Sequence, residues 1–489
     1  MPQSRRFAHS PTIVWDDRVR LWGDGSAVLG GAPWALLRIA PAGRPFVRRL
    51  RDAGPRGVTP APGVEQKLAD LLLARGIVHP VVSADPGVEP WAAEPGVDII
   101  VPCYQRPDLL DACLTSLRET VPGARIIVVD DASPSPRVGE VARAHGATLR
   151  RHGTNRGPAA ARNTGFREAN SPIVAFVDAD CVATPGWLST LVVHFDDPRV
   201  AAVAPRIISR SSRASLLSRY QAVQSPLDMG PRPELVKPGA PLGFLPSAAL
   251  AVRASDLSDP AWFDERLRVG EDVDLVWRLV DAGALVRYEP NAVVTHEIRP
   301  TAQRWAAQIF GYGKSAAELD RRHPGRLTPA RLSFWNLAAA VLLFVPRRRA
   351  RAGAGALAAI AAATALLART LRAASVDPRV APVIIGQGLL ADAKACGHLL
   401  RREWWPLGWL TLAATPRSRV ARAAAAAMLV PPVCDWLTRR PALDLPRYLL
   451  LRLAEDAAYG SGVITSAIRS RRPGVLVPYV RPPQSRPNP

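Results

Sequence analysis

Three groups of carboxylates stand where cation or acid–base chemistry becomes possible. Asp178 and Asp180 follow directly on the apolar run IVAFV at 173–177. Two hard oxygen ligands from one short loop suit Mg2+ or Mn2+, ions that also bind a diphosphate. Asp130 and Asp131 end a second apolar run, RIIVV, and Glu271, Asp272 and Asp274 cluster after Gly270 at the head of LVWRLV. Each group also has a plainer reading. A D-x-D pair recurs by chance in loops, and an acidic first helical turn is stabilised by the helix dipole by less than about 1 kcal/mol. Context must decide between these readings.

The elements that would position these residues alternate. Val97–Val101 reads as a buried strand, and the periodic Leu109, Leu110, Cys113, Leu114 and Leu117 behind it read as a helix. Arg125–Val129 and Ile173–Val177 repeat the strand, and AAARNTGFREA, with Arg162 near its start, repeats the helix. Alternation of this kind predicts an α/β doubly wound sheet, in which ligands bind outside the carboxyl ends of the strands. Asp130, Asp131, Asp178 and Asp180 would then share one rim.

At 489 residues the chain exceeds what one core supports, so two or three domains are expected. Sixty-three Lys and Arg against 42 Asp and Glu leave a net charge of +21, which suits anionic partners: nucleic acid, acidic lipid or phosphorylated substrates. Five cysteines without paired spacing predict a reduced, cytosolic setting, and MPQSRRFAHSPT lacks the apolar run of a signal peptide. No repeat of fixed period is present.

Residues 1–82 read as a small β-plus-helix, winged-helix-like domain: a hairpin from Val14–Leu21 and Ser26–Gly30 across Gly23-Asp24-Gly25, a strand at 34–39, helices at 42–53 and 63–74, and a strand at 77–82. In the second helix Val64, Leu68, Leu71 and Leu72 form one apolar face. EQKLADLLLARG lacks the outward Arg, Asn and Gln of a major-groove reader, which argues against nucleic acid. Residues 83–96, rich in Pro, Gly and Glu, read as a linker.

Taken in order, VDIIVPCYQR, IIVVDDAS, NRGPAAARNTG, VAFVDAD and GEDVDLVWRL resemble a family 2 glycosyltransferase of the GT-A fold, across about two hundred of residues 97–326. The resemblance implies a mixed sheet and a metal-dependent, inverting transfer of sugar from a nucleoside diphosphate. It implies a metal site at Asp178 and Asp180 with His296, after NAVVTH, as a further ligand. Pro102, Tyr104, Asp178, Arg156 and Arg162 fall on its donor side; Asp131, with Asp130 the alternative, falls on the donor's base. Asp272 matches the general base, with Glu271 beside it to raise its pKa or bind the acceptor. Gln303-Arg304-Trp305 is similar to the Q-x-x-R-W of processive members without its spacer, so Arg304 and Trp305 become candidate acceptor contacts.

From 327 to 470 the composition turns to Ala, Leu and Arg, with apolar runs mostly shorter than the ~20 residues of a spanning helix. Arginines in nearly every gap predict helices lying on the cytoplasmic face of the cell membrane, held by anionic lipid. Residues 471–489, rich in Pro, are expected to be disordered. The whole layout, with YGKSAAELDRRHP between its parts, resembles the mycofactocin-system glycosyltransferases of actinobacteria. That implies a UDP-glucose donor and a peptide-derived acceptor, the mycofactocin precursor. The rival readings are a membrane-associated glucosyl- or rhamnosyltransferase of cell-wall glycans and an inactive acceptor-binding module.

Overall fold

A computed structural model describes residues 11–82, 96–210, 215–256, 262–298, 301–343 and 349–481. Most of the expected linker and the end of the C-terminal tail lie outside these residues. The chain forms two compact units, Met1–Arg213 with Gln224–Ile298, and Ala214–Val223 with Arg299–Pro489.

The first unit is built on a nine-stranded mixed sheet, as the GT-A resemblance implied. Four strands run parallel, Ile173–Val177, Val97–Cys103, Arg125–Asp130 and Thr148–Arg151 in spatial order. On the other side of Ile173–Val177 the order continues through Ala249–Arg253, Val200–Arg210, Leu285–Glu297 and Cys181–Ala183, with antiparallel pairings at Ala249–Arg253. Glu234–Leu235 also pairs with Leu285–Glu297. Val97–Cys103 and Ile173–Val177 are buried along their whole length, which is why they read as unbroken apolar runs rather than alternating ones. Helix Pro107–Thr120 follows the first of these, and Pro158–Glu168 leads into the second.

The N-terminal part of the same unit departs from expectation in two places. Val14–Leu21 is not one strand. Ile13–Trp15 pairs with Val78–Pro80, whereas Arg20–Trp22 joins Ala27–Gly30 and Ala35–Arg38 in a separate three-stranded sheet. The break falls at Asp16, whose carboxylate binds the Arg18 side chain and whose carbonyl accepts from Val19 N. In helix Val64–Ala74 the buried stripe is Ala69, Leu72 and Leu73, while Val64 and Leu71 are exposed. Three consecutive leucines satisfy either stripe, and periodicity alone cannot choose between them.

This N-terminal part is bonded directly to the sheet region. Ala32 lies in the main core cluster, and a Cβ at Gly76 would stand 3.1 Å from Leu235 Cβ. Arg18 reaches Glu234 at 2.5 Å, Lys237 Nζ donates to Ala74 O at 2.9 Å, and Arg199 lies 3.4 Å from Asp70.

The second unit is helical, with its bulk turned outward. Its crossings are made by glycine. A Cβ at Gly462 would lie 2.2 Å from Phe310 O, and one at Gly313 would lie 2.1 Å from Tyr459 O, so Ala302–Lys314 and Leu445–Arg469 meet backbone to backbone. Leu357, Leu366, Leu390, Leu410, Val430, Leu450 and Ile468 are exposed instead. Small residues at the crossings and large apolar ones outside are the packing pattern of helices in lipid. Residues 334–440 carry fifteen Lys and Arg against four Asp and Glu.

Here too the apolar runs understate the elements. Arg349–Ala373 and Arg419–Arg439 continue through arginines and Ala381–Arg401 through Asp392 and Lys394, and Gly353–Ala373 and Arg419–Arg439 are each long and apolar enough to cross a membrane. Arginine is a good helix former, so it interrupts a hydropathy run without ending a helix. The tail is also more ordered than expected: Tyr479–Arg481 pairs in parallel with Arg331–Ser333.

Candidate active site

The strand Ile173–Val177 delivers Asp178 to the rim, where its backbone N–H donates to Ala248 O at 2.8 Å. A turn closed by Cys181 N on Asp178 O then presents Asp180. The two carboxylates part company. Asp178 Oδ1 accepts from Arg162 Nη2 at 2.7 Å, whereas Asp180 lies between Arg106 Nη1, 3.2 Å from one oxygen, and His296 Nε2, 3.4 Å from the other. His296 arrives on Leu285–Glu297, which pairs with Cys181–Ala183 and sets His296 opposite Cys181. Of the three expected metal ligands the structure therefore joins Asp180 and His296 and commits Asp178 to a salt bridge. Among the described residues no three His, Cys, Asp or Glu side chains gather into a metal cage.

Arg162 is the second organising group. It is 3 % exposed, in a helix whose neighbouring alanines leave room for it against the sheet. Its Nη1 donates to Glu271 Oε1 at 2.9 Å, and its guanidinium lies 5.3 Å from the centre of the Phe263 ring. Burial works against its charge, but Asp178 and Glu271 outweigh burial and move its pKa up. Arg162 was expected on the donor side, and in this structure both ends of its fork are taken by protein carboxylates.

Gly270, at φ 85°, turns the chain into helix Glu271–Asp281. Glu271 is buried, and that burial, with the neighbouring Asp272 charge, pushes its pKa up to about 7 against the pull of Arg162. Asp272 also moves up through burial, opposed by the N–H groups of Val273 and Ser247 and by Arg162. Its Oδ1 accepts from Val273 N at 2.8 Å. Asp274 serves the helix itself and binds Arg278 at 2.9 Å. A half-buried Asp272 beside a buried Glu271, both with raised pKa, suits proton abstraction near neutral pH.

At the end of Arg125–Asp130 the two aspartates differ sharply. Asp131 accepts from His152 Nδ1 at 2.7 Å, Arg156 N at 2.9 Å and Gly157 N at 2.7 Å, and so fastens the turn that starts the Arg162 helix. Asp130 is 1 % exposed and accepts from Ser133 N, and its Oδ2, which accepts no hydrogen bond, lies 3.7 Å from Arg151 Nε. The base-binding role expected first for Asp131 thus meets a carboxylate already occupied, and the alternative, Asp130, is buried with Arg151 beside its second oxygen. Arg156 sends its side chain to Glu265 at 2.7 Å. Pro102 is buried within Val97–Cys103, opposite Val129, and Tyr104 is exposed just beyond that strand.

Arg304 and Trp305 belong to the helical unit. Trp305 is 4 % exposed, packed edge-on against Tyr220 with Ile309, Leu443 and Tyr448. It is a core residue with no face left for a sugar ring, and Arg304 stands exposed beside it.

Sequence reasoning missed Arg106 and His152. Arg106 stands immediately before the helix-starting Pro107, a position that could have been read as facing the rim. His152 carried no signal.

A profile described as "Glycosyl transferase family 2" matches residues 98–255. The chain is 37% identical over 482 residues to the pre-mycofactocin glycosyltransferase of Mycobacterium tuberculosis, covering 95% of this chain and 97% of that one. It is 25% identical over 234 residues to glycosyltransferase AglE of Haloferax volcanii, covering 46% of this chain and 74% of that one. Among solved structures, a mannosyltransferase of Pyrobaculum calidifontis in complex with GDP-Man and Mn2+ aligns at TM-score 0.43 and 18% identity, covering 80% of this chain and 90% of that one.

Proposed function

Because the chain belongs to glycosyl transferase family 2 and matches a pre-mycofactocin glycosyltransferase along nearly its whole length, we propose that it glucosylates the mycofactocin precursor, with UDP-glucose as donor. The observation that carries the mechanism is the bridge through Arg162, which gathers the strand-end Asp178 and the helix-start Glu271 around one cation. Residues from three separated motifs meet there.

In this reading Asp272 takes the proton of the acceptor hydroxyl as that oxygen attacks the anomeric carbon opposite the leaving diphosphate. In-line attack inverts the centre, so an α-linked donor yields a β-glucoside. Glu271 keeps the pair's proton affinity high, and Arg162 limits how high. Asp130 is assigned to an N–H of the base, which would take the place of Arg151 beside its Oδ2, and Tyr104 offers an exposed ring just beyond the neighbouring strand. Asp180 and His296 supply carboxylate oxygens and an imidazole nitrogen on a partly open rim, a donor set that fits Mg2+ or Mn2+ when completed by phosphate oxygens and water. Such an ion, when bound, neutralises charge on the leaving diphosphate. Asp178 could join it only by leaving Arg162.

The N-terminal part is assigned to holding the peptide-derived acceptor, with Ala35–Arg38, the edge of its three-stranded sheet, as the strand to which a peptide would add. The helical unit is assigned to the cytoplasmic face of the cell membrane, supported by its outward leucines and its excess of arginine.

The test is turnover of UDP-, GDP- and TDP-sugars by the purified chain, with and without Mn2+, against the mycofactocin precursor, with the product's anomeric configuration read by NMR. Glucose transfer from UDP-glucose in β-linkage is expected. Transfer only to lipid-linked glycans would assign the chain to cell-wall synthesis, and acceptor binding with no turnover of any donor would make it a binding module.

A further inference from the structure

We propose that Arg106 is a diphosphate-binding residue held on Asp180, beside the cation's place, until the donor arrives. The inference rests on the sugar-nucleotide reading of the rim and adds a residue to it. Arg106 Nη1 lies 3.2 Å from Asp180 Oδ2, and the other oxygen of the same carboxylate lies 3.4 Å from His296 Nε2. A divalent ion held by Asp180 and His296 would have the guanidinium on the other oxygen of the same carboxylate, and the two positive charges would repel.

The backbone shows that this placement is imposed. Gln105 and Arg106 have φ of 61° and 57°, a left-handed conformation that a residue with a Cβ adopts only under constraint. It is held by Gln105 N donating to Ser133 Oγ at 2.8 Å and by the Cys103 thiol donating to Gln105 O at 3.1 Å. Ala132, in the loop beyond the adjacent strand, has φ 63°. Strain maintained by such cross-links at strand ends points to function. With its backbone fixed, Arg106 can leave Asp180 only by swinging its half-exposed side chain, which keeps the guanidinium on the rim. The anion to which the same ion recruits it is a nucleoside diphosphate, whose paired oxygens match the planar fork of arginine better than they match a lysine point charge.

The experiment measures Mn2+ alone, and then UDP in the presence of Mn2+, binding to the full chain by calorimetry. Arg106→Gln is expected to tighten Mn2+ alone by about two- to fivefold, the range of a partly exposed pair, and to weaken UDP by about tenfold or more. Arg106→Lys restores only part of the UDP affinity and covers the case in which the glutamine variant fails to fold. Unchanged affinities for both probes, or weaker Mn2+ binding in Arg106→Gln, would overturn the proposal. Failure of the wild-type chain to bind UDP would overturn the sugar-nucleotide reading beneath it.

Discussion

Replacing Arg162 with methionine tests whether the acid pair depends on a buried cation. The substitution keeps side-chain length and removes the charge shared by Asp178 and Glu271. Breaking a buried pair costs roughly 3–5 kcal/mol when the remaining charge has no other outlet. Here the two partners differ. The Asp178 side chain is 31 % exposed and can turn to water, whereas Glu271, at 9 %, cannot. Glu271 escapes by binding a proton, for which its affinity is already high at about 7. Loss of an adjacent cation should raise that pKa by roughly one to three, at about 1.4 kcal/mol for each tenfold change in proton affinity. The sign follows. Below pH 6 Glu271 is protonated and the variant should lose about 1 kcal/mol or less; above pH 8, where the wild type holds the charge, it should lose about 2–4 kcal/mol. Thermal denaturation from pH 5.5 to 9 reads that gradient, and the acid limb of kcat/KM should move upward with it. An equal loss of Tm at every pH, with an unmoved acid limb, would show that Arg162 only fills space and that the coupling argued here is wrong.

Asp272→Asn should reduce kcat by about 10²–10⁴-fold while UDP-glucose still binds, whereas Glu271→Gln should keep measurable turnover with a displaced pH profile; equal effects in steady-state assays would count against the division of roles. Removing His296 as alanine should raise the Mn2+ concentration for half-maximal activity by about 10-fold or more, and an unchanged Mn2+ titration would leave the histidine a strand-end residue only. The chain should sediment with vesicles of anionic phospholipid but not with neutral ones, and salt should release part of it because screening weakens the arginine contribution first. Changing the exposed Trp409 and Leu410 to serine should lower the salt-resistant fraction, and no change there would remove their helix, Trp405–Ala413, from the contact surface.

The parts legible from sequence share one property: their signal is local. Ile173–Val177 and Val97–Cys103 are buried on both faces, so composition alone marks them, and Asp178 and Asp180 beyond the first are placed by chain order. Arg162 was legible as important but not as buried. Its partners lie 16 and 109 residues away, and no window along the chain joins them. Asp131 illustrates the same limit, since its three donors come from a turn beyond the next strand. Trp305 was misjudged although evidence was at hand: Trp305, Ile309 and Tyr312 fall at i, i+4 and i+7, the spacing of a core stripe.

The attachment of the N-terminal part to Glu234, Leu235 and Lys237 bears on how the gene can be cut. A fragment beginning near residue 96 would bare Leu235, now wholly buried, and would strand Glu234 without Arg18. Such a fragment should be poorly soluble whatever its chemistry, and its silence in an assay would say nothing about acceptor recognition. Single substitutions along Ala35–Arg38, made in the intact chain, question the peptide without disturbing that joint.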